Sequence, residues 1–286
     1  MAKVKIVTDS CASIPDSFLQ THGIITVPYY VHIEGRTYRD LVDIRQGPFF
    51  EYLGKARELP KTANPGAGDY LEAYRQAADE AEAVVSVHMT SSGSGGYQAA
   101  SVAREMAQQE LPGLQVEVID TRNVAMCQGW IALEAARAAE KGAGLEDVLQ
   151  LVRRLLPRTR MLQTADTLRY LYMGGRIGRA QHLLATALNV KPLISMEDGV
   201  IVAVGRARSR MAAYRQIVER VVSAAGEQGG VKVAYLHAAA SELVAELRSL
   251  LEARIRPIES LVAELSPALG VHTGPGTVGV CYLLWP

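Results

Sequence analysis

Alternation of strand and helix signals is the feature of this sequence that most restricts its fold. β-Branched and apolar runs at 3–8, 83–88 and 116–119 predict strands. Amphipathic stretches at 69–81 and 97–109 lie beside them and predict helices. Because parallel strands must be joined by crossover connections, the first half is predicted to be a parallel sheet with helices on both faces.

The second half has a different pattern, in which strands outnumber the helices between them. We predict strands at 161–165, 191–195, 200–204, 231–236 and 278–284, and helices at 209–225, 241–251 and 258–265. Asp198-Gly199 separates two of these strands and indicates a hairpin turn. We therefore expect a C-terminal α+β domain on a mixed sheet. A boundary near Pro157 would divide the chain into domains 1–157 and 158–286.

The composition is that of a globular protein with an aliphatic core. Hydrophobic residues make up 49% of the 286 positions, charged residues 21% and aromatic residues only 6%. Leu, Val, Ile and Ala must therefore fill most of the interior. The formal net charge is zero, which does not favour nucleic acid or an anionic membrane surface as a partner.

Targeting and cysteine signals are weak throughout the sequence. No apolar run is long enough to predict a membrane span, and MAKVKIVTDS does not have the pattern of a signal peptide. Cys11, Cys127 and Cys281 are far apart, which predicts neither a disulfide framework nor a cysteine zinc site. We expect a cytoplasmic protein without integral membrane association.

Polar loops follow three predicted strands of the first half, at Asp9-Ser10, 90–96 and Asp120-Thr121. Ligands of parallel sheets bind at the carboxyl ends of the strands, where all three loops should lie. Segment 90–96, TSSGSGG, also precedes a helix, so its hydroxyls and free N–H groups could bind an anion. A flexible capping loop explains it about as well. It lacks the spacing of a nucleotide-binding loop.

Other polar candidates are ambiguous on their own. Thr62 opens a loop at 62–68 that has the composition of an ordinary turn. Arg176 in GGRIG suits a carboxylate, a phosphate or a domain interface, although a structural salt bridge is commoner. His272 lies in a glycine-rich segment predicted to be a loop, and Arg206 with Arg208 forms a basic cluster typical of a solvated helix start.

Signals for catalysis and metal binding are missing from the sequence. The six histidines form no metal-ligand spacing, and there is no nucleophile elbow. We therefore predict no catalytic residue and no metal site. Hydroxyls, amides and a few cations without an evident base suit anion binding better than catalysis.

The order of these motifs resembles the DegV family, which includes the fatty-acid-binding subunits of bacterial fatty acid kinase. The resemblance covers nearly the whole chain. It rests on KIVTDS, the Thr62 loop, SSGSGGYQAA, Asp120 with Gly129, YLYMGGRIGRA, NVKPLI followed by DG, and HTGPGTVGV. These segments are weak singly, but seven of them in the family order are specific together.

The resemblance implies an N-terminal three-layer parallel-sheet domain and a C-terminal mixed-sheet α+β domain, with one fatty acid between them. A long, palmitate-like acyl chain would fill an aliphatic tunnel, with its carboxylate near the surface. The protein would carry no cofactor besides this ligand and would have no catalytic activity of its own. It would present the carboxylate to an ATP-binding fatty acid kinase subunit.

Residue by residue, the family pattern implies two groups at the tunnel mouth. The hydroxyls implied to bind the carboxylate are those of Thr62, Ser94 and Ser91. The residues implied to lie at the mouth, at an acyl phosphate or at the partner are Arg176, Arg206, Arg208 and His272. Arg206 stands where the family usually has Lys.

Four positions depart from the family pattern around the implied carboxylate site. Ala63, Asn64 and Gly66 replace Ser, Gln and Ser, and Gly96 replaces a Thr. Because Thr62 and Ser94 remain, carboxylate binding is still the expectation, with a changed polar network around it.

Two other functions stay open from the sequence. The first is a small-molecule phosphotransferase or hydrolase that uses the Ser/Gly loop as an anion site. The second is a regulatory module in which lipid only reports its own supply. Acyl-chain length, the identity of the partner and the oligomeric state are not determined by these motifs.

Overall fold

The computed structural model describes residues 3–186, 190–228 and 230–286. The strands are Val4–Asp9 (β1), Ile25–Val27 (β2), Tyr30–Ile33 (β3), Arg36–Arg39 (β4), Lys61–Ala63 (β5), Ala83–His88 (β6), Gln115–Asp120 (β7), Thr159–Thr164 (β8), Lys191–Glu197 (β9), Val200–Ala207 (β10), Val231–His237 (β11), Glu259–Glu264 (β12) and Val278–Leu284 (β13). The α-helices are Asp16–Thr21 (α1), Gln46–Leu53 (α2), Ala67–Ala78 (α3), Gly96–Glu110 (α4), Met126–Glu140 (α5), Leu145–Leu155 (α6), Arg169–Met173 (α7), Arg210–Gln228 (α8), Ser241–Glu252 (α9) and Pro267–Thr273 (α10). Short 3₁₀ segments cover Ser10–Ala12, Leu156–Arg158 and Gly178–Thr186.

The first half is built on a four-stranded parallel sheet in the order β2-β1-β6-β7. Helices α3 and α4 pack on one face through Tyr70, Tyr74 and Ala103. Helices α5 and α6 contribute Trp130 and Leu155 to the core on the other face. The predicted three-layer parallel arrangement is confirmed.

The second half is built on a six-stranded mixed sheet in the order β10-β9-β8-β13-β11-β12. All neighbouring pairs are antiparallel except β11 and β12. The predicted hairpin is confirmed, because Asp198 and Gly199 join β9 to β10 with φ of 50° and 79°. Two consecutive positive φ angles are the signature of a type I′ turn.

Helix α5 lies between the two sheets, which explains its unusual burial. Its first eleven residues, from Met126 to Ala136, are all buried. It packs against β1 and β6 on one side and against β8 and β13 on the other, and Trp130 Nε1 donates to the carbonyl of Cys281 at 3.0 Å. A mostly apolar helix is expected to be enclosed in this way, and its buried Glu134 is paired with Arg137 and Lys232.

One predicted helix is wrong. Segment 258–265 forms the edge strand β12, which pairs in parallel with β11. Leu261 and Ala263 are buried while Val262 is 39% exposed, and this two-residue period is that of a strand with one face on the core. Segment 258–265 is too short for its sequence to distinguish the two-residue period of a strand from the 3.6-residue period of a helix.

Two candidate residues lie in regular structure where loops were predicted. Thr62 is the middle residue of β5, which pairs with β3 in a small antiparallel sheet of order β4-β3-β5. His272 is in the last turn of α10, whose N-cap is Ser266. The division at 157/158 stays a prediction; it falls in the short segment between α6 and β8.

Candidate functional site

A cavity of about 410 Å³ lies where the carboxyl ends of the first sheet face the second sheet. That edge is where parallel sheets usually bind ligands, and the volume is in the range of small-molecule sites. From the first half it is lined by Cys11, Tyr29, Thr62, Ala63, Asn64, Met89, Thr90, Ser92, Gly93, Ser94, Gly95, Val124 and Ala125. From the second half it is lined by Met161, Gln163, Leu171, Gly175, Arg176, Gly178, Ile194, Met196, Gly199, Val200, Ile201, Leu265, Ala268, Leu269, His272 and Thr273.

The cavity has a buried apolar body and a more exposed polar rim. Met161 and Leu265 are almost completely buried among the apolar lining residues. Ser92, Gly175 and Arg176 are exposed, so the cavity opens to solvent on their side. An apolar interior with polar groups at the opening suits a ligand with a long apolar part and a polar end.

Thr62 and His272 join the two halves of the chain at this rim. Thr62 Oγ1 lies 2.9 Å from His272 Nε2. The Nδ1 atom of the same ring is buried without a hydrogen-bond partner among the described residues. If Nε2 carries the proton and donates to Thr62, the hydroxyl proton of Thr62 stays free to donate to an anion.

His272 is electrically neutral at pH 7. Burial, with the positive charge of Arg176 nearby, lowers its pKa to about 4. A neutral imidazole can donate from one nitrogen only, which fits its single hydrogen bond to Thr62. In the tautomer with the proton on Nε2, the ring orients the Thr62 hydroxyl.

Ser94 is oriented in the same way by Tyr29, a residue that the sequence did not single out. Their hydroxyl oxygens are 2.8 Å apart. Burial, together with the nearby Asp9, raises the pKa of Tyr29 well above its usual value, so its hydroxyl keeps its proton and can donate to Ser94. The Ser94 proton is then also free for an anion.

The departure at Gly96 has a steric explanation. A Cβ atom on Gly96 would lie 2.5 Å from Tyr29 Oη and 3.1 Å from Tyr70 Oη. The two tyrosine hydroxyls therefore occupy the space that a threonine side chain would need. In this chain, Tyr29 supplies a hydroxyl next to Ser94 from a different element.

Arg176 supplies the charge at the rim. Its Nη1 donates to the carbonyl of Gly174 at 2.6 Å, and its Nε donates to the carbonyl of Gly93 at 3.4 Å. Of the cavity-lining residues in the described part of the chain, Arg176 alone has a permanent charge. Two neutral hydroxyls beside one fixed guanidinium make a site for a single monovalent anion such as a carboxylate.

Ser91 does not lie on the cavity, although the resemblance implied it. Its hydroxyl donates to Asp120 Oδ2 at 2.6 Å, and its neighbour Ser92 lines the cavity instead. The acceptor Asp120 ends β7, so both groups are used to tie the loop after β6 to the adjacent strand. The polar loop after β7 is structural here.

Arg206 and Arg208 also lie away from the cavity. Both are exposed: Arg206 lies near the end of β10, and Arg208 lies between β10 and α8. Arg206 borders a separate small depression that it shares with Asp166 and Pro192. The structure thus brings Thr62, Ser94, Arg176 and His272 together and leaves the two other arginines outside.

The loop after β1 is buried and serves the framework around the cavity. Asp9 Oδ2 lies 3.0 Å from His88 Nδ1. Ser10 donates to Asp40 at 2.6 Å and accepts from the N–H of Tyr29 at 3.0 Å. Asp40 also accepts from the N–H of Ala268, which connects the loop to α10. Burial raises the pKa of Asp40 to about 6.

Two negative findings apply to the described ranges, 3–186, 190–228 and 230–286. In these ranges no group of three or more His, Cys, Asp or Glu side chains is arranged to hold a metal ion. The helices of the same ranges are all too short or too polar to cross a bilayer.

Comparison with known proteins identifies relatives across the full length of the chain. The family model of DegV, described as uncharacterised proteins, matches residues 3–284. A DegV domain-containing protein of Streptomyces coelicolor is 35% identical over 279 residues, which are 97% of each chain.

Solved structures have the same fold. A DegV-family protein from Thermus thermophilus, described as fatty-acid-binding, is 33% identical with a TM-score of 0.92 and covers 99% of this chain and 100% of its own. A stearic-acid-binding protein from Eubacterium ventriosum is 27% identical with a TM-score of 0.88 and covers 98% of each chain. This chain belongs to the DegV family.

Proposed function

We propose that this protein is a cytoplasmic carrier that binds one long-chain fatty acid in the cavity and presents its carboxylate to an ATP-binding kinase subunit. The observation that carries the proposal is the polarity of the cavity, which has an apolar body and a rim with two hydroxyls and one arginine. The solved relatives described as binding fatty acids support the same ligand class.

Binding energy would come mainly from the acyl chain. Each buried methylene contributes about 0.8 kcal/mol, so ~15 methylenes offer on the order of 12 kcal/mol before ordering costs. A hydrogen bond from a rim hydroxyl to the carboxylate contributes only about 1.5–3 kcal/mol net. The apolar body would thus set the affinity, whereas the rim would set the direction in which the chain enters.

The carboxylate would accept from Thr62 and Ser94 beside Arg176. Each hydroxyl has an aromatic hydrogen-bond partner behind it, His272 for Thr62 and Tyr29 for Ser94. These partners fix the direction of the hydroxyl protons before a ligand arrives, which reduces the ordering cost of binding. The arginine would balance the charge of the bound acid.

A separate kinase subunit would supply the phosphoryl-transfer chemistry. The sequence has no nucleotide-binding loop. Among the described residues, neither rim hydroxyl is hydrogen-bonded to a carboxylate, and the neutral imidazole beside Thr62 would orient that hydroxyl toward the ligand. Arg206 and Arg208, exposed and away from the cavity, would contact that partner. Arg176 would bind the carboxylate before the reaction and the phosphate group of the acyl phosphate after it.

Phosphorylation of stearate by ATP tests whether this chain only binds the lipid while a separate subunit transfers the phosphoryl group. We expect stearoyl phosphate only when the chain, stearate and an ATP-binding kinase subunit are all present. Formation of the product by this chain alone would contradict the carrier role. Arg206→Glu should weaken capture of the kinase subunit and leave stearate binding unchanged, whereas Arg153→Glu, an exposed change on α6, should affect neither.

A further inference from the structure

Gln163 is a buried polar residue in the otherwise apolar wall of the cavity. It lies on β8 and is only 3% exposed, yet it lines the cavity. Its carboxamide makes no hydrogen bond with any residue in the described part of the chain. A buried amide carries two donors and an acceptor, and leaving them unpaired is unfavourable. The unpaired amide therefore needs a partner that comes from outside the chain.

Apart from the exposed Ser92, the other polar side chains of the cavity each make at least one hydrogen bond within the protein. Hydrogen bonds within the protein are made by Thr62, Tyr29, Ser94, Asn64, Thr90 and Thr273. Gln163 is buried at least as deeply as most of these residues, yet it makes no such hydrogen bond. It is not needed to hold the framework in the way that the rim residues are.

The strand neighbours of Gln163 are apolar. Met161, two residues earlier on β8, shares its face of the sheet because side chains alternate along a strand. Directly opposite Gln163 are Ile194 on β9 and Gly279 on β13. A Cβ on Gly279 would lie 2.6 Å from Gln163 Cγ, so the glycine leaves room for the glutamine side chain. None of these three neighbours has a polar side chain to offer the amide.

A structural water explains this arrangement poorly. A buried water normally makes two to four hydrogen bonds with polar groups, and the flanking side chains supply none besides Gln163. An oxygen attached to an acyl chain needs only one partner, because the chain itself holds it in place. A carbon–carbon double bond would accept only a weak N–H···π contact.

We infer that the cavity selects acyl chains that carry a hydrogen-bonding oxygen, a hydroxyl or keto group, at the position that faces Gln163. The inference rests on the proposed function and specifies the class of fatty acid that the site prefers. Because the carboxylate is anchored at the rim, only an oxygen at one or two adjacent carbons can reach Gln163. Selectivity should thus depend sharply on where the oxygen is attached.

Competition binding with a positional series of monohydroxystearates, with stearate and oleate as references, tests the inference. We expect one isomer, or two adjacent ones, to bind roughly three- to tenfold more tightly than stearate. In Gln163→Leu that preference should disappear, while stearate binds as well as before or better. Gln163→Met is a second variant if the first one fails to fold. Met161→Leu, a change in the same wall without a polar group, should keep the preference.

The outcomes separate this inference from the proposed function. If stearate binds but every hydroxystearate binds more weakly, equally in the wild-type protein and in Gln163→Leu, the inference is wrong and the carrier function stands. A preference for oleate over all hydroxystearates would also overturn it. If neither stearate nor any hydroxystearate binds the wild-type protein, the proposed function itself is wrong.

Discussion

Thr62 Oγ1 lies 2.9 Å from His272 Nε2, across 210 positions of sequence. The bond connects β5 of the first half to α10 of the second at the rim of the cavity. Along with Thr90, whose hydroxyl donates to the carbonyl of Gly199 at 2.8 Å, it holds the two halves together at the opening. The residue that we propose to bind the carboxylate therefore also forms a contact between the halves.

Thr62→Val removes the hydroxyl and keeps the shape of the side chain. We expect the affinity for stearate to fall by roughly tenfold or somewhat more, because one hydrogen bond to the charged carboxylate, about 1.5–3 kcal/mol, is lost. Isothermal titration calorimetry measures the change. Thr37→Val is the matched control, since Thr37 makes a similar 2.8 Å bond to His32 away from the cavity. Complete loss of binding by a folded Thr62→Val protein would contradict the proposal that burial of the acyl chain supplies most of the binding energy.

Stability should depend on pH through His272. Its pKa is about 4 in the folded protein and near 6.5 in an unfolded chain. Between these values only the unfolded chain binds the proton, so His272 should lower the free energy of unfolding as the pH falls from about 6.5 to about 4. Asp40, whose pKa burial raises to about 6, contributes in the opposite direction over the lower part of this window. Above this window His272 is neutral in both states and contributes no slope.

Urea unfolding at a series of pH values measures this dependence. His272→Gln removes the His272 contribution, so its stability at pH ~4 relative to pH ~6.5 should be higher than that of the wild-type protein. His182→Gln, a change at an exposed histidine, should match the wild-type profile. An unchanged slope in His272→Gln would show that other groups cause the dependence.

Filling the apolar body should prevent binding without affecting the rim. Ala268 is 2% exposed and lines the cavity, so Ala268→Phe places a ring in the space that an acyl chain would occupy. We expect stearate binding to fall below detection, in contrast to the modest effect of Thr62→Val. Met161→Leu alters the same lining without filling it and should retain binding. Circular dichroism confirms that each variant is folded, and full stearate binding by folded Ala268→Phe would place the chain elsewhere.

Gly96 and Tyr29 should be energetically coupled. Gly96→Thr brings a Cβ within 2.5 Å of Tyr29 Oη, and overpacking of this kind typically destabilises by about 1–3 kcal/mol. Adding Tyr29→Phe removes the nearest atom, so the double variant should recover part of the loss. A double-mutant cycle from denaturant unfolding measures the coupling. Strictly additive effects would be inconsistent with the steric explanation.

Much of the fold could be predicted because its signals are local. Strand and helix periods with loop residues at strand ends indicated the parallel sheet, and Asp198-Gly199 indicated the hairpin. Segment 258–265 was mistaken for a helix because its short apolar run fits both periods, and only pairing with β11 decides between them. The rim residues Thr62, Ser94, Arg176 and His272 followed from the motif order.

The parts of the site that were missed depend on distant contacts. Tyr29 reaches Ser94 from the short segment between β2 and β3, and the sequence marks it only as one tyrosine after a proline. Ser91 is as good a hydroxyl candidate as Ser92 until Asp120 is seen to accept from it. Gln163 stands in an ordinary strand sequence, and its importance lies in having no partner, which only the packed structure reveals.

Native mass spectrometry of the wild-type protein titrated with stearate tests the carrier function most directly. We expect a single adduct with the mass of one stearate per chain, absent from Ala268→Phe under the same conditions. A wild-type protein that takes up no stearate, or that instead retains a nucleotide or a sugar, would contradict it.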